Sequence, residues 1–142
     1  MLGRMLLTLS FLTMLLSCSN QTENFSGDEY GKVTTISSKG IENVENFKMF
    51  IQEIKEGINS SIRIIKITKE GDPVYHDLVY KEEKIFYKYD NTEDREGNKL
   101  VLETVCSGIT NSKDIKNDNV TYYLDGCADN RLTGFKITLD SE

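Results

Sequence analysis

A single helical stripe followed by a run of alternating segments limits this chain's folding choices more than any other feature. Val44, Phe47, Phe50, Ile51, Ile54 and Ile58 recur at three- and four-residue steps, with Glu, Lys and Gln between them. That spacing gathers apolar side chains on one side of a helix. Asn43 stands in front of the stripe as an N-cap, and Gly57 stands where a helix commonly stops. A helix with one apolar side needs a surface to cover, and the rest of the chain offers a sheet.

The strand segments follow from their period. KVTTIS (32–37) is a short β-branched run ahead of the helix. In SIRIIKITK (61–69), Ile62 and Ile64 point one way and Ile65 and Ile67 the other, so either the register slips or both faces are covered. VYHDLVYK (74–81) places Val74, His76, Leu78 and Tyr80 on one face, with Tyr75, Asp77 and Val79 on the other. KIFYKYD (84–90) sets Ile85, Tyr87 and Tyr89 opposite Phe86 and Lys88, and Glu82-Glu83 is short enough for a hairpin connection. KLVLETVC (99–106), a polar loop, VTYYLDGC (120–127) and FKITL (135–139) complete the series. The expected fold class is α+β: one N-terminal helix packed on an antiparallel β-meander of about five to six strands. The order of elements is similar to the cystatin-type arrangement, a likeness that carries no function.

The first residues read differently. Arg4 precedes an apolar run from Met5 to Leu16, with no acidic residue before Glu23, the layout of a secretory signal peptide. At about 12 residues the run is short of the roughly 20 that span a bilayer core. Leu15-Leu16-Ser17-Cys18 resembles the lipobox of bacterial lipoproteins. That resemblance implies cleavage before Cys18, a diacylglycerol thioether and palmitate on Cys18, and attachment to the extracytoplasmic face of the cell membrane. Expected boundaries are therefore a signal peptide over 1–17, a flexible tether over 18–31 and a single α+β domain over 32–142. The tether SNQTENFSGDEYG is too polar to build a core.

The formal charge of −6 falls by one further unit if Arg4 is removed. An acidic surface argues against nucleic acid and against binding to anionic lipid through charge. With Cys18 taken up by lipid, Cys106 and Cys127 are the cysteines left to pair, and an even pair in an exported chain reads as a disulfide. Two thiols and one distant imidazole fall short of a structural zinc set.

The stretch EGDPVYHDL (70–78) gathers the sole proline, the sole histidine and three carboxylates. Glu70, Asp72, His76 and Asp77 are the residue types of a cation site or an acid–base pair. Strand alternation puts His76 and Asp77 on opposite faces, however, and Asp72-Pro73 after Gly71 describes a turn. DNTEDREGN (90–98) has the acidic look of a calcium loop, but Arg95 stands where the sixth-position glycine belongs. Tyr87 and Tyr89, with four other tyrosines, are candidates for a binding surface on an open sheet face. Asp72, His76, Tyr87 and Tyr89 are thus the candidate binding residues; no catalytic residue, metal site or cofactor is expected.

The helix ENFKMFIQEIKEG, the strand SIRIIKIT, EGDPVYHDL, YDNTEDREG and Cys106 with the Cys127 of LDGC resemble a family of small Gram-positive lipoproteins, domain of unknown function 4362. Thr92-Glu93-Asp94 departs from that pattern, which has a basic residue in the middle. The resemblance implies a surface lipoprotein of unassigned activity and transfers no catalytic residue. The expected function is a lipid-anchored binding module for a protein, peptide or envelope component. The alternatives are a peptidase inhibitor of the cystatin kind and a metal-dependent enzyme centred on His76.

Overall fold

In the computed structural model, residues 30–132 and 134–140 are described. The signal peptide, Cys18 and most of the tether lie outside them.

Strand β1 (Val33–Ser37) turns back into the three-residue β2 (Gly40–Glu42), and the chain then enters helix α1 (Val44–Lys55). The expected stripe is the buried one: Phe47 and Phe50 are fully enclosed and Ile51 nearly so. Enclosing a side chain of that size contributes roughly 2 kcal/mol each. Gly57 ends the helix with φ of 71°. Its N–H donates to the Ile54 carbonyl and that of Ile58 to Glu53, the paired bonds that close a helix end through a left-handed residue. Asn43 corrects the expected cap. It is itself left-handed, its side chain makes no capping bond, and its carbonyl accepts from the Thr34 hydroxyl instead.

Strand β3 (Ser60–Ile67) follows, then β4 (Pro73–Lys81), β5 (Lys84–Asp90) and β6 (Val101–Cys106). The large sheet has the order β2-β1-β3-β4-β5-β6. Here the single antiparallel meander is corrected, because β1 pairs parallel with β3 across the helical crossover. The β3–β4 ladder runs from Ser60↔Tyr80 to Ile67↔Pro73 without a slip. Both faces of β3 are therefore used: Ile62 and Ile64 are buried in the core, while Ile65 and Ile67 are half-buried on the other side.

The polar segment expected to be a loop is instead strand β7 (Gly108–Asp114), which pairs with β8 (Asn119–Asp125). A short 3-10 turn (Asn130–Leu132) leads to β9 (Lys136–Asp140), and β7-β8-β9 form a second, antiparallel sheet. This small sheet and α1 cover the same face of the large sheet. Phe47 of α1 meets Tyr122 of β8 edge-on at 5.2 Å, and Phe135 ahead of β9 packs against His76 and Tyr87. One core results, shared by the helix and both sheets.

Candidate functional site

The core face of β4 and β5 holds the sole histidine. Register sets His76 beside Ile64 and Tyr89, and Leu78 beside Tyr87, so His76 and Tyr87 sit diagonally on one face. Nδ1 of His76 and the Tyr87 hydroxyl share a 2.6 Å hydrogen bond, with the rings nearly parallel at 6.0 Å. Phe135 closes over both. Burial drives the imidazole pKa down to about 3, helped by the nearby Lys66 ammonium. Burial also raises the Tyr87 phenol. Both groups are thus held neutral at ordinary pH. Lys66 borders this pocket with its own pKa lowered by burial and by Lys136; its ammonium donates to the Lys136 carbonyl and lies 5.2 Å from the Phe135 ring centre. Tyr87 is buried to 2 % exposure, so it does not stand on an open sheet face. Tyr89 is half-buried at the core's margin, edge-on to His76.

Asp77 points away from this pair, as strand alternation requires. It is 1 % exposed and accepts two hydrogen bonds from Arg63 on β3, at 2.7 and 2.8 Å. The register places Arg63 directly opposite Asp77, so the pair bridges neighbouring strands. The guanidinium lies 4.9 Å from the Tyr30 ring and 5.0 Å from the Tyr75 ring. Burial and the Asp77 carboxylate both push the Tyr30 phenol up. Packing on the sheet therefore already includes Tyr30, ahead of the expected domain boundary at 32.

Asp72 is engaged elsewhere. Arg95 donates to it twice, from its backbone N–H at 3.0 Å and its Nε at 2.8 Å, and these bonds hold the carboxyl below the usual range. The residue that breaks the calcium pattern thus ties the 91–98 loop to the β3–β4 turn. Two nearby carboxylates serve local turns, Asp90 accepting from Thr92 and Asp94 from Glu96 and Gly97, while Glu93 reaches across to the Tyr75 hydroxyl. The members of the EGDPVYHDL cluster are dispersed: Asp72 joins Arg95, His76 joins Tyr87 and Asp77 joins Arg63. Among the described residues no group of three or more His, Cys, Asp or Glu is placed to hold a metal ion.

Cys106 and Cys127 form a disulfide that ties the end of β6 to the segment leaving β8, and so joins the two sheets. Arg63 and Arg95 are the residues that sequence reasoning missed. Arg63 could have been found once β3 was aligned on β4, because it is the basic residue facing Asp77; Arg95 carried no signal of its partner.

A mixed sheet with a helix and a small sheet on one face, stapled by a disulfide and holding a neutral His–Tyr pair inside, defines a small α+β domain. No curated protein and no solved structure matches the chain at a significant level. A family model does match, over residues 32–123, and the chain belongs to that family, the domain of unknown function DUF4362.

Proposed function

We infer that this protein is a lipid-anchored extracytoplasmic binding module, held to the membrane through Cys18 and recognising a protein, peptide or envelope component. Leu15-Leu16-Ser17-Cys18 at the end of an apolar run supports the anchor, and the Cys106–Cys127 disulfide is in keeping with an oxidising compartment. The observation that carries the binding role is how the two faces of the large sheet are used. Its core face is covered by α1 and the small sheet, whereas its outer face leaves Val105 at 38 % exposure beside Phe86 and Val101 at 48 % exposure two strand positions beyond Glu103. Exposed apolar side chains flanking a charge on an uncovered sheet face are the elements from which a recognition surface is built, and they support this reading. Asp72, His76 and Tyr87 each have an internal partner and Tyr89 lies edge-on to His76 on the core face, which moves recognition from all four candidates to the outer face.

Two experiments test this reading. Metabolic labelling with a palmitate analogue should mark the wild type and not Cys18→Ala. Crosslinking the anchored protein on living cells should capture a discrete partner. A missing label removes the anchor, and a clean blank in the crosslinked sample removes the binding role.

A further inference from the structure

We propose that the outer edge of β6 takes up an extended peptide as an added strand, with a basic side chain seated between Phe86, Glu103 and Val105. This deepens the binding-module reading and rests on it. Strand β6 ends the large sheet among the described residues. The Val105 carbonyl points away from β5 and accepts from the Ala128 N–H, while that of Leu100 turns toward β5 and accepts from Asn91. By the two-residue period of a strand, Glu103 and Val101 direct their backbone groups to the same open side as Val105. The segment after Cys127 closes the edge at Val105 and at Thr104, whose hydroxyl accepts from the Asp129 N–H. Among the described residues nothing pairs with the outward backbone groups of Val101 and Glu103, and these are left for a partner.

Sheet edges in stable proteins are usually blunted by charge, proline or a bulge. This one carries a single charge, Glu103, between the solvent-facing Val101 and Val105. Between β5 and β6 lies a shallow groove of about 190 Å³ lined by Phe86, Tyr87, Glu103, Thr104 and Val105. On the outer face its side chains are an aromatic ring, a carboxylate and a valine, which together suit a cation carried on an aliphatic stem. Phe86 already receives such a group, the Lys81 ammonium at 4.9 Å from its ring centre, so an incoming basic side chain takes the place of Lys81 there. Glu103 lies opposite Lys88 on β5, and its other side faces the open edge. A strand added there would place one residue across from Glu103 and another across from Val101. The complementary pattern is a basic residue with apolar residues two positions away.

The probe is a labelled, end-capped peptide of alternating Thr and Val with a central Arg, compared with the same peptide carrying a central Glu. Both are titrated by fluorescence anisotropy against the full chain in detergent micelles. The Arg peptide should bind about tenfold more tightly, because like charges directly opposite one another repel. Its binding should raise amide-exchange protection at Val101 and Glu103. Glu103→Lys should reverse the preference, and Glu103→Gln should abolish it without charge reversal should the lysine variant lose its fold. Equal binding of the two peptides, no binding of either, or unchanged exchange at β6 overturns the proposal. A partner captured on cells whose binding survives Glu103→Lys overturns this site while leaving the binding-module reading intact.

Discussion

His76 and Tyr87 share a 2.6 Å hydrogen bond inside the core, and each keeps the other's polar atom from being stranded. An imidazole and a phenol buried together in this way stay neutral, and both pKa directions follow from burial. The pair is a packed polar junction between β4 and β5, with Phe135 from the far end of the chain as its lid.

Acid should act on stability through His76. In the unfolded chain the imidazole takes up a proton near pH 6.5, and in the folded protein only near 3. Between those values the unfolded state binds more protons, so stability that is complete above pH 6.5 is lost as pH falls toward 3. The urea midpoint should therefore drop more steeply between pH 7 and pH 4 in the wild type than in His76→Gln. Parallel slopes in the two proteins would show that the imidazole is not the sensor.

Tyr87→Phe removes the hydroxyl and leaves the imidazole nitrogen unpaired in the core. The expected loss is about 1–2 kcal/mol at neutral pH, measured by urea unfolding. His76→Ala should cost more, about 3 kcal/mol, because it opens a cavity and also orphans the Tyr87 hydroxyl.

Arg63 and Asp77 form a two-pronged ion pair with Asp77 almost wholly buried. Arg63→Met leaves that carboxylate without its main partner and should cost about 3 kcal/mol. Arg63→Met with Asp77→Leu should recover much of the loss, since the expense lies in the orphaned charge. A double variant less stable than Arg63→Met would contradict that account.

The Asp72–Arg95 contact should govern the 91–98 loop. Asp72 is held below the ordinary carboxyl range by the Arg95 backbone and guanidinium, so the tie is complete above the ordinary pKa near 3.8 and weakens as pH falls below it. Asp72→Ala should raise amide exchange at the Arg95 N–H and speed proteolytic cleavage within the loop at neutral pH. His76 and its surroundings should be unaffected by the change.

Reduction of Cys106–Cys127 frees a pair separated by 21 residues and should lower stability by about 3 kcal/mol in the chain-entropy picture. Intact mass before and after reduction checks the bond, and thermal unfolding checks its contribution.

Local pattern was enough for the elements whose neighbours are close in sequence. The α1 stripe, its stop at Gly57 and the alternation of β4 and β5 were legible because each depends on residues three, four or two positions away. Strand β7 was not, since GITNSKD is a polar edge strand whose side chains are mostly solvent-facing and whose identity comes from pairing with β8. Strand β2 is only three residues long, too short to show a period.

The sequence by itself determined one amphipathic helix, a strand-rich remainder, the opposed directions of His76 and Asp77, and family membership. Only the tertiary structure decided that β1 lies parallel to β3, that the last three strands form their own sheet, and that Asp72, His76 and Asp77 each turn to a different partner. Those outcomes depend on contacts between residues far apart in the chain, such as Phe135 on His76 and Arg95 on Asp72. Spacing within a segment specifies which way a side chain points; what meets it there is set by the packing of the whole core.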